Sequence, residues 1–422
     1  MRSPAASGRT LAGAADSWRK FCITWHFIGS GTPPRRVMIG DMPRRILPLS
    51  IGHGCVDVYQ GAVAALVPFL VAQRHYGYAA ASGVVLAASL LSSVAQPVFG
   101  ALTDRRPAPW LLPAGTAAAG AGIALSGVAG PYPATLAAVA VSGIGVAAYH
   151  PESARVARIA GGGSHTAMGV FSLGGNLGFA AAPLLVTPVV AAAGLTATPL
   201  LALPAALGVL LCLTAARVPR AAGPAAVRPG GVDDRASFVR LAVVVGLRSV
   251  AFVGLASFLA VYVRQRVGGG PAVGAAALFV LYLGGAVGTV LGGRLAESWG
   301  RVAVVRRSYA VAVPAVAGVL LVPGPACFAF VALTSAALYV PFSVQVTLGQ
   351  DYLPSRVGTA SGVTLGLAVS VGGVASPLIG AVADAYSLLV ALLPLVALPA
   401  AAWLVARTLP EPRVPTQEPA RV

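Results

Sequence analysis

Residues 96–106 read Gln-Pro-Val-Phe-Gly-Ala-Leu-Thr-Asp-Arg-Arg. An apolar run stops abruptly here in a small residue, an acid and two arginines. A related stretch follows later, with Gly293, Leu295, Glu297, Gly300 and Arg301. Gly100 and Gly293 stand 193 residues apart, and the spacing Gly-x-x-x-acid is kept in both, with Asp104 and Glu297 as the acids. The chain therefore reads as two halves of similar build, each with a charged turn (Gly100, Asp104, Arg105; Gly293, Glu297, Arg301) after its second apolar segment.

Composition sets the class. The 422 residues are 57% hydrophobic and only 10% charged, whereas a soluble domain carries about 25% charged residues. The chain is thus read as an all-α integral membrane protein. The 51 glycines and 33 prolines suit a helical bundle in lipid, where small residues let helices approach. A net charge of +17 does not imply a nucleic-acid partner, because the arginines fall in short turns between apolar segments. Lys20 is the only lysine, so no P-loop lysine exists to reach nucleotide phosphates. Cys22, Cys55, Cys212 and Cys327 are too scattered for a zinc site or a disulfide framework. No cofactor and no metal are expected.

A helix needs about 20 apolar residues to cross the hydrocarbon core. Twelve candidates satisfy this: 46–73, 79–102, 110–129, 133–154, 167–193 and 197–216, then 241–263, 272–293, 302–322, 325–348, 357–382 and 387–406. The domain reading is a basic tail at 1–45, a six-helix bundle at 46–216, a polar linker at 217–240, a second bundle at 241–406 and a tail at 407–422. Duplicated halves in one membrane are a plan used by secondary transporters. The N-terminal tail is expected to be disordered, and Met38 or Met42 would serve as a start just ahead of the first span. With the N-terminus in the cytoplasm, 25 of the 29 basic residues lie on that side and Arg74, Arg264 and Arg266 lie opposite. Both termini are therefore expected to be cytoplasmic.

Asp57 is the one acid near the middle of a predicted span. A charge there costs about 2.5–3.5 kcal/mol on insertion scales, so such residues usually face a cavity and act there. His53 and Gln60, four residues before and three after, share its helical face. A desolvated carboxylate beside an imidazole is what proton coupling needs; the rival reading is a polar contact holding two helices together. Tyr149-His150-Pro151-Glu152, with Arg155 three residues on, is a second cluster. Pro151 is expected to open the fourth span, exposing His150 and Glu152 to a cavity; the alternative is an interfacial helix end with a local ion pair. Arg248, inside the seventh span, calls for a carboxylate partner, an anionic ligand or an escape to the interface. Asn176 is a polar handle among the packing glycines of the fifth span.

These residues resemble a known family. The charged turns, Gly100-Ala-Leu-Thr-Asp-Arg105 and Gly293-Arg-Leu-Ala-Glu-Ser-Trp-Gly-Arg301, resemble those of the major facilitator superfamily. Within it the chain is similar to the fosmidomycin resistance protein family of efflux transporters. That resemblance rests on His53-x-x-x-Asp57-x-Tyr59-x-Gly61, Ser92-Ser93-x-x-Gln96-Pro97-x-Phe99-Gly100, His150-Pro151-Glu152-x-Ala154-Arg155, Gly174-Gly175-Asn176-x-Gly178 and Arg248. It covers about residues 46–408. The chain departs from the drug–proton antiporters at Val139, where they carry an arginine, and around Gly178 and Pro183, where their Gly-Pro-x-x-Gly-Gly is absent; the arginine role then falls to Arg155 or Arg248.

The resemblance implies a major facilitator fold of twelve transmembrane helices in two pseudo-symmetric six-helix bundles. It implies no enzyme but a monomeric, proton-coupled exporter of a small drug-like or anionic compound in the inner (plasma) membrane. Asp57, His53, His150 and Glu152 would carry protons; Gln60, Asn176, Arg155 and Arg248 would line the substrate cavity. A proton-coupled metabolite transporter and a non-transporting receptor or scaffold remain as alternatives.

Overall fold

The computed structural model describes residues 46–162, 165–215 and 232–412, apart from a few side chains including that of Asp104. The basic tail, with its expected disorder and alternative starts, lies outside the described residues, as does most of the linker.

The described chain is helical: α1 Ile46–Arg74, α2 Tyr78–Arg105, α3 Leu111–Ser126, α4 Tyr132–Ala160, α5 His165–Ala193 and α6 Leu203–Ala215, the last entered through a 3-10 turn Leu195–Ala202. The second half supplies α7 Arg235–Val267, α8 Pro271–Trp299, α9 Arg301–Leu321, α10 Cys327–Tyr352 and α11 Val357–Ala385. Its last span is built from α12 Leu388–Leu392, a 3-10 turn Leu393–Val396 and α13 Ala397–Ala406. Eleven segments are long and apolar enough to cross a membrane, and α3 is a shorter apolar twelfth. The expected all-α, twelve-span, two-bundle architecture is what the chain adopts.

Two boundaries differ from the sequence reading. The seventh helix starts at Arg235, inside the expected linker, because Asp234 caps it: its side chain accepts from the Ser237 N–H at 2.9 Å. The fourth helix does not open at Pro151 but runs unbroken to Ala160. Two side chains bond carbonyls of the same stretch: His150 Nδ1 meets Val146 O at 2.8 Å, and Ser153 Oγ donates to His150 O at 2.9 Å.

Glycine sets the closest helix contacts. A Cβ on Gly178 would lie 2.0 Å from Gly54 O, and one on Gly174 would lie 2.0 Å from Ser50 O. The α1 and α5 backbones are thus seated directly on one another. Helices α1 and α7 are the most enclosed, with 78% and 72% of their apolar windows buried. Tyr59 locks α6 onto α1, donating to Leu201 O at 2.8 Å and accepting from Ala205 N–H at 2.7 Å.

The halves meet along α2 against α11 and α5 against α8. The α2–α11 contacts run from the start of α2 to Ser89, whose Oγ lies 1.9 Å from where a Cβ on Gly373 would be. At the start of α2, Asp384 of α11 accepts from the Tyr78 and Ala79 N–H groups at 2.7 and 2.9 Å. Gln265 Nε2 approaches Tyr78 Oη at 3.3 Å, and Gly380 lets Tyr78 O and Ala79 N come within 2.6–2.7 Å of where its Cβ would be.

Candidate functional site

A cavity of about 600 Å³ lies between the halves. His53, Asp57, Gln60, His150 and Asn176 line it from the first half, and Arg248 lines it from the second. Ser93, Gln96, Ser343 and Val346 carry it toward the end that bears the charged turns.

Asp57 is the centre of the first wall. One helical turn separates it from His53 on α1, whose Nε2 lies 3.3 Å from Oδ2. Its Oδ1 meets Nε2 of His150, which α4 supplies, at 3.2 Å, and Gln60 Nε2 stands 3.3 Å from the same oxygen. The side chains of His53, Asp57 and His150 are 10%, 13% and 21% exposed, so the cluster is nearly dry but touches the cavity. Both imidazoles are held from behind: Nδ1 of His53 lies 3.0 Å from Phe171 O on α5, and Nδ1 of His150 lies 2.8 Å from Val146 O. The His53 ring also stacks on Phe171 at 4.3 Å between centroids. The ring and carboxylate positions are therefore set by three helices.

What this arrangement can do follows from its electron pairs. Carbonyl oxygens only accept, so both Nδ1 atoms carry hydrogen and both Nε2 atoms face a carboxylate. A proton on Nε2 of His150 makes a charge-assisted bond to Asp57 Oδ1, and one on Nε2 of His53 lies beside the Oδ2 charge. One nitrogen from each ring and one carboxylate oxygen also lie within 4.8 Å of one another, a grouping able to hold a metal ion.

Glu152 and Arg155 are placed elsewhere. Neither lines the cavity. Glu152 is fully buried and takes both Nε, at 2.8 Å, and Nη2 of Arg155. Glu152 directly follows Pro151 and Arg155 lies one turn further on, with its Nη1 buried and without a hydrogen-bond partner.

The second wall holds Arg248, 3% exposed. No carboxylate stands within 4 Å of it among the described residues; instead its guanidinium lies 5.9 Å from the Tyr339 ring centroid and 5.0 Å from that of Phe342. Nη1 approaches Leu338 O at 3.3 Å, and Nε is buried with no hydrogen-bond partner. Arg248 has thus neither escaped to the interface nor been neutralised by an acid. Sequence reading singled out Arg248 on this wall but not Tyr339 and Phe342, which stand three residues apart on α10.

The charged turns lie at the far end. Gly100 sits with its Cβ direction 3.8 Å from Pro151 Cβ, joining the first turn to α4, and Arg105 is exposed. Asp104's side chain lies outside the described residues. In the second turn Gly300 adopts φ +81°, a conformation glycine reaches without strain. Arg301 pairs with Asp351 of α10 and approaches Glu411 at 3.5 Å. Gly293 has open space around it and Glu297 is exposed.

Comparison with known proteins agrees with this architecture. Residues 49–377 match the family model described as Major Facilitator Superfamily. The chain is 29% identical to the fosmidomycin resistance protein of Escherichia coli (strain K12), over 80% of this chain and 85% of that protein. It is 30% identical to YfnC, an uncharacterized MFS-type transporter of Bacillus subtilis (strain 168), over 81% of this chain and 86% of that one. Among solved structures, a bacterial homolog of the human lysosomal transporter Spinster, inward-facing and occupied, aligns with a TM-score of 0.74 at 15% identity, covering 88% of this chain and 98% of that one. The nucleoside transporter NupG aligns with a TM-score of 0.67 at 14% identity, covering 87% and 98%. With twelve apolar segments in two halves around a central cavity and a family match spanning most of its length, the chain belongs to the Major Facilitator Superfamily of membrane transporters.

Proposed function

We propose that the protein is a proton-coupled efflux transporter of a small drug-like or anionic compound. The observation that carries this reading is the juxtaposition of the Asp57 carboxylate and the two imidazoles with Arg248 across one cavity. Proton arrival at Asp57 changes the charge of one wall. An anion on Arg248 changes the charge of the other. Each event alters the energy of bringing the walls together, and that coupling is what antiport requires.

The buried Nε and the flanking rings of Arg248 favour a planar or apolar body carrying an anionic group. Gln60 and Asn176 offer amides to the remaining polar atoms. Glu152 and Arg155 serve on this reading as a structural pair that holds α4 below the proton site.

The halves act as rocking bundles over 46–216 and 241–406, joined by 217–240. With the arginine-rich turns on the cytoplasmic face of the inner membrane, both termini are cytoplasmic and the cavity opens inward. The protein works as a monomer. The test uses fosmidomycin, the compound in the name of the Escherichia coli relative. Expression in a sensitised bacterial strain should raise the inhibitory concentration, and Asp57→Asn at equal membrane abundance should abolish the effect. Unchanged sensitivity on expression of the wild type would remove this class of substrate.

A further inference from the structure

We infer that His53, Asp57 and His150 form a binding site for a divalent transition-metal ion of the Zn²⁺ class. The inference goes beyond proton coupling and rests on ligand geometry alone, so it holds whether or not protons drive transport.

Three features of the cluster carry it. First, the donor atoms converge. Nε2 of His53 and Nε2 of His150 lie 3.3 and 3.2 Å from the two Asp57 oxygens. A tetrahedral ion with bonds of about 2.0–2.1 Å places neighbouring donors roughly 3.3 Å apart. With one Asp57 oxygen as ligand, one of the three ligand–ligand edges already has the required length, and all three donors lie within 4.8 Å of one another.

Second, the rings are presented as ligands. Each imidazole has its Nδ1 on a backbone carbonyl, Phe171 O at 3.0 Å and Val146 O at 2.8 Å. This fixes the tautomer that leaves Nε2 free to coordinate and is the support that metal-bound histidines receive. Nε2 of His53 is buried with no hydrogen-bond partner, although it lies 3.3 Å from Asp57 Oδ2.

Third, the α5 backbone packs tightly against the donors at a glycine. A Cβ on Gly175 of α5 would lie 2.5 Å from Asp57 Oδ2 and 2.6 and 2.8 Å from Cε1 and Nε2 of His53. Any side chain at 175 would displace the donor atoms. The donor set of two imidazoles and one carboxylate suits Zn²⁺ and its neighbours better than Mg²⁺ or Ca²⁺, which take all-oxygen shells. All three residues line the cavity. A fourth position on that side would make the ion exchangeable, as in sites with three protein ligands, and not a fixed structural centre.

The experiment titrates the purified full-length protein in nanodiscs with Zn²⁺ alone, by calorimetry at fixed neutral pH. The wild type should show one site above the background of the remaining histidines. His53→Ala/His150→Ala and Asp57→Asn should each remove it, and Gly175→Ala, which keeps every ligand, should weaken it about tenfold or more. Because Gly175→Ala adds bulk to a packed interface, Co²⁺ bound to the wild type gives an independent reading. Intense visible bands of a tetrahedral site that Zn²⁺ displaces support the assignment. An octahedral, water-like Co²⁺ spectrum, the absence of Zn²⁺ binding by the wild type, or binding unchanged in the double histidine variant overturns it.

Discussion

Asp57 divides its two oxygens between imidazoles from different helices, Oδ2 toward His53 of α1 and Oδ1 toward His150 of α4. The first contact was legible in the sequence, because residues four apart share a helical face. The second was not: no spacing rule connects residue 150 to residue 57. The carbonyl supports from Phe171 and Val146 were equally hidden, since backbone acceptors leave no mark on side-chain identity. Arg248 was legible as a buried charge seeking a partner, but the answer, two aromatic rings and an unpaired Nε, depends on how α10 packs beside α7. If that Nε and its neighbours hold an anion, Arg248→Ala removes a charged hydrogen bond worth about 1.5–3 kcal/mol. The transport KM for fosmidomycin should then rise roughly ten- to a hundredfold. Arg248→Lys should recover only part of the loss, because an ammonium lacks the planar fork. Equal KM values for wild type and Arg248→Ala would remove Arg248 from the substrate site.

At the scale of the element, helix starts and ends were mostly visible in the sequence. The turn after α8 is an example: Gly300 supplies its positive φ and donates to Ala296 O at 3.1 Å, closing the helix before Arg301. Pro151 misled, because a proline inside a helix removes one hydrogen bond without having to end the helix, and here it continues to Ala160. What no single-segment reading provides is a cap from the opposite half. Asp384 is such a cap, its carboxylate on the Tyr78 and Ala79 N–H groups. A cap of this kind contributes about 1 kcal/mol, roughly a fivefold ratio between states that keep and lose it. Asp384→Ala should therefore shift the population of the state closed at that end about fivefold toward opening, read as a spin-label distance between α2 and α11. An unchanged distance distribution would show that the contact does not hold the halves.

At the opposite end a contact within the second half ties the start of α7 to the turn after α10. Asp233 accepts from Ser355 Oγ at 2.6 Å and Ser355 N–H at 3.1 Å, and Asp234 N–H donates to Tyr352 O at 2.7 Å. Hydrogen bonds from the Ser355 hydroxyl and N–H hold the Asp233 carboxyl below its ordinary range, and those from Ser237 do the same for Asp234. Both groups have folded values below their unfolded ones. Their contribution is thus complete above the unfolded carboxylate range, near pH 4, and is lost as pH falls through the lower folded values. Protection of the Ser237 and Ser355 amides from hydrogen exchange, corrected for intrinsic rates, should be flat from neutral pH to about pH 4 and fall below it. A decline centred near neutrality would contradict this origin.

For the whole molecule, duplication was the legible feature: the paired charged turns fixed the halves, and the halves fixed the architecture. The cavity was not legible, because its walls are assembled from side chains more than a hundred residues apart whose alignment depends on glycine contacts such as Gly54 with Gly178. Sequence reading placed Glu152 and Arg155 with the proton and substrate residues; packing turns them toward each other. The coupling proposal therefore rests on Asp57 and its two imidazoles. The most direct test reconstitutes wild type and Asp57→Asn at equal density in proteoliposomes enclosing a pH-sensitive dye. Fosmidomycin is then added on one side without any imposed ion gradient. The account predicts substrate-dependent proton movement in the wild type and none above empty liposomes in Asp57→Asn. Proton movement in Asp57→Asn at the wild-type rate would contradict it.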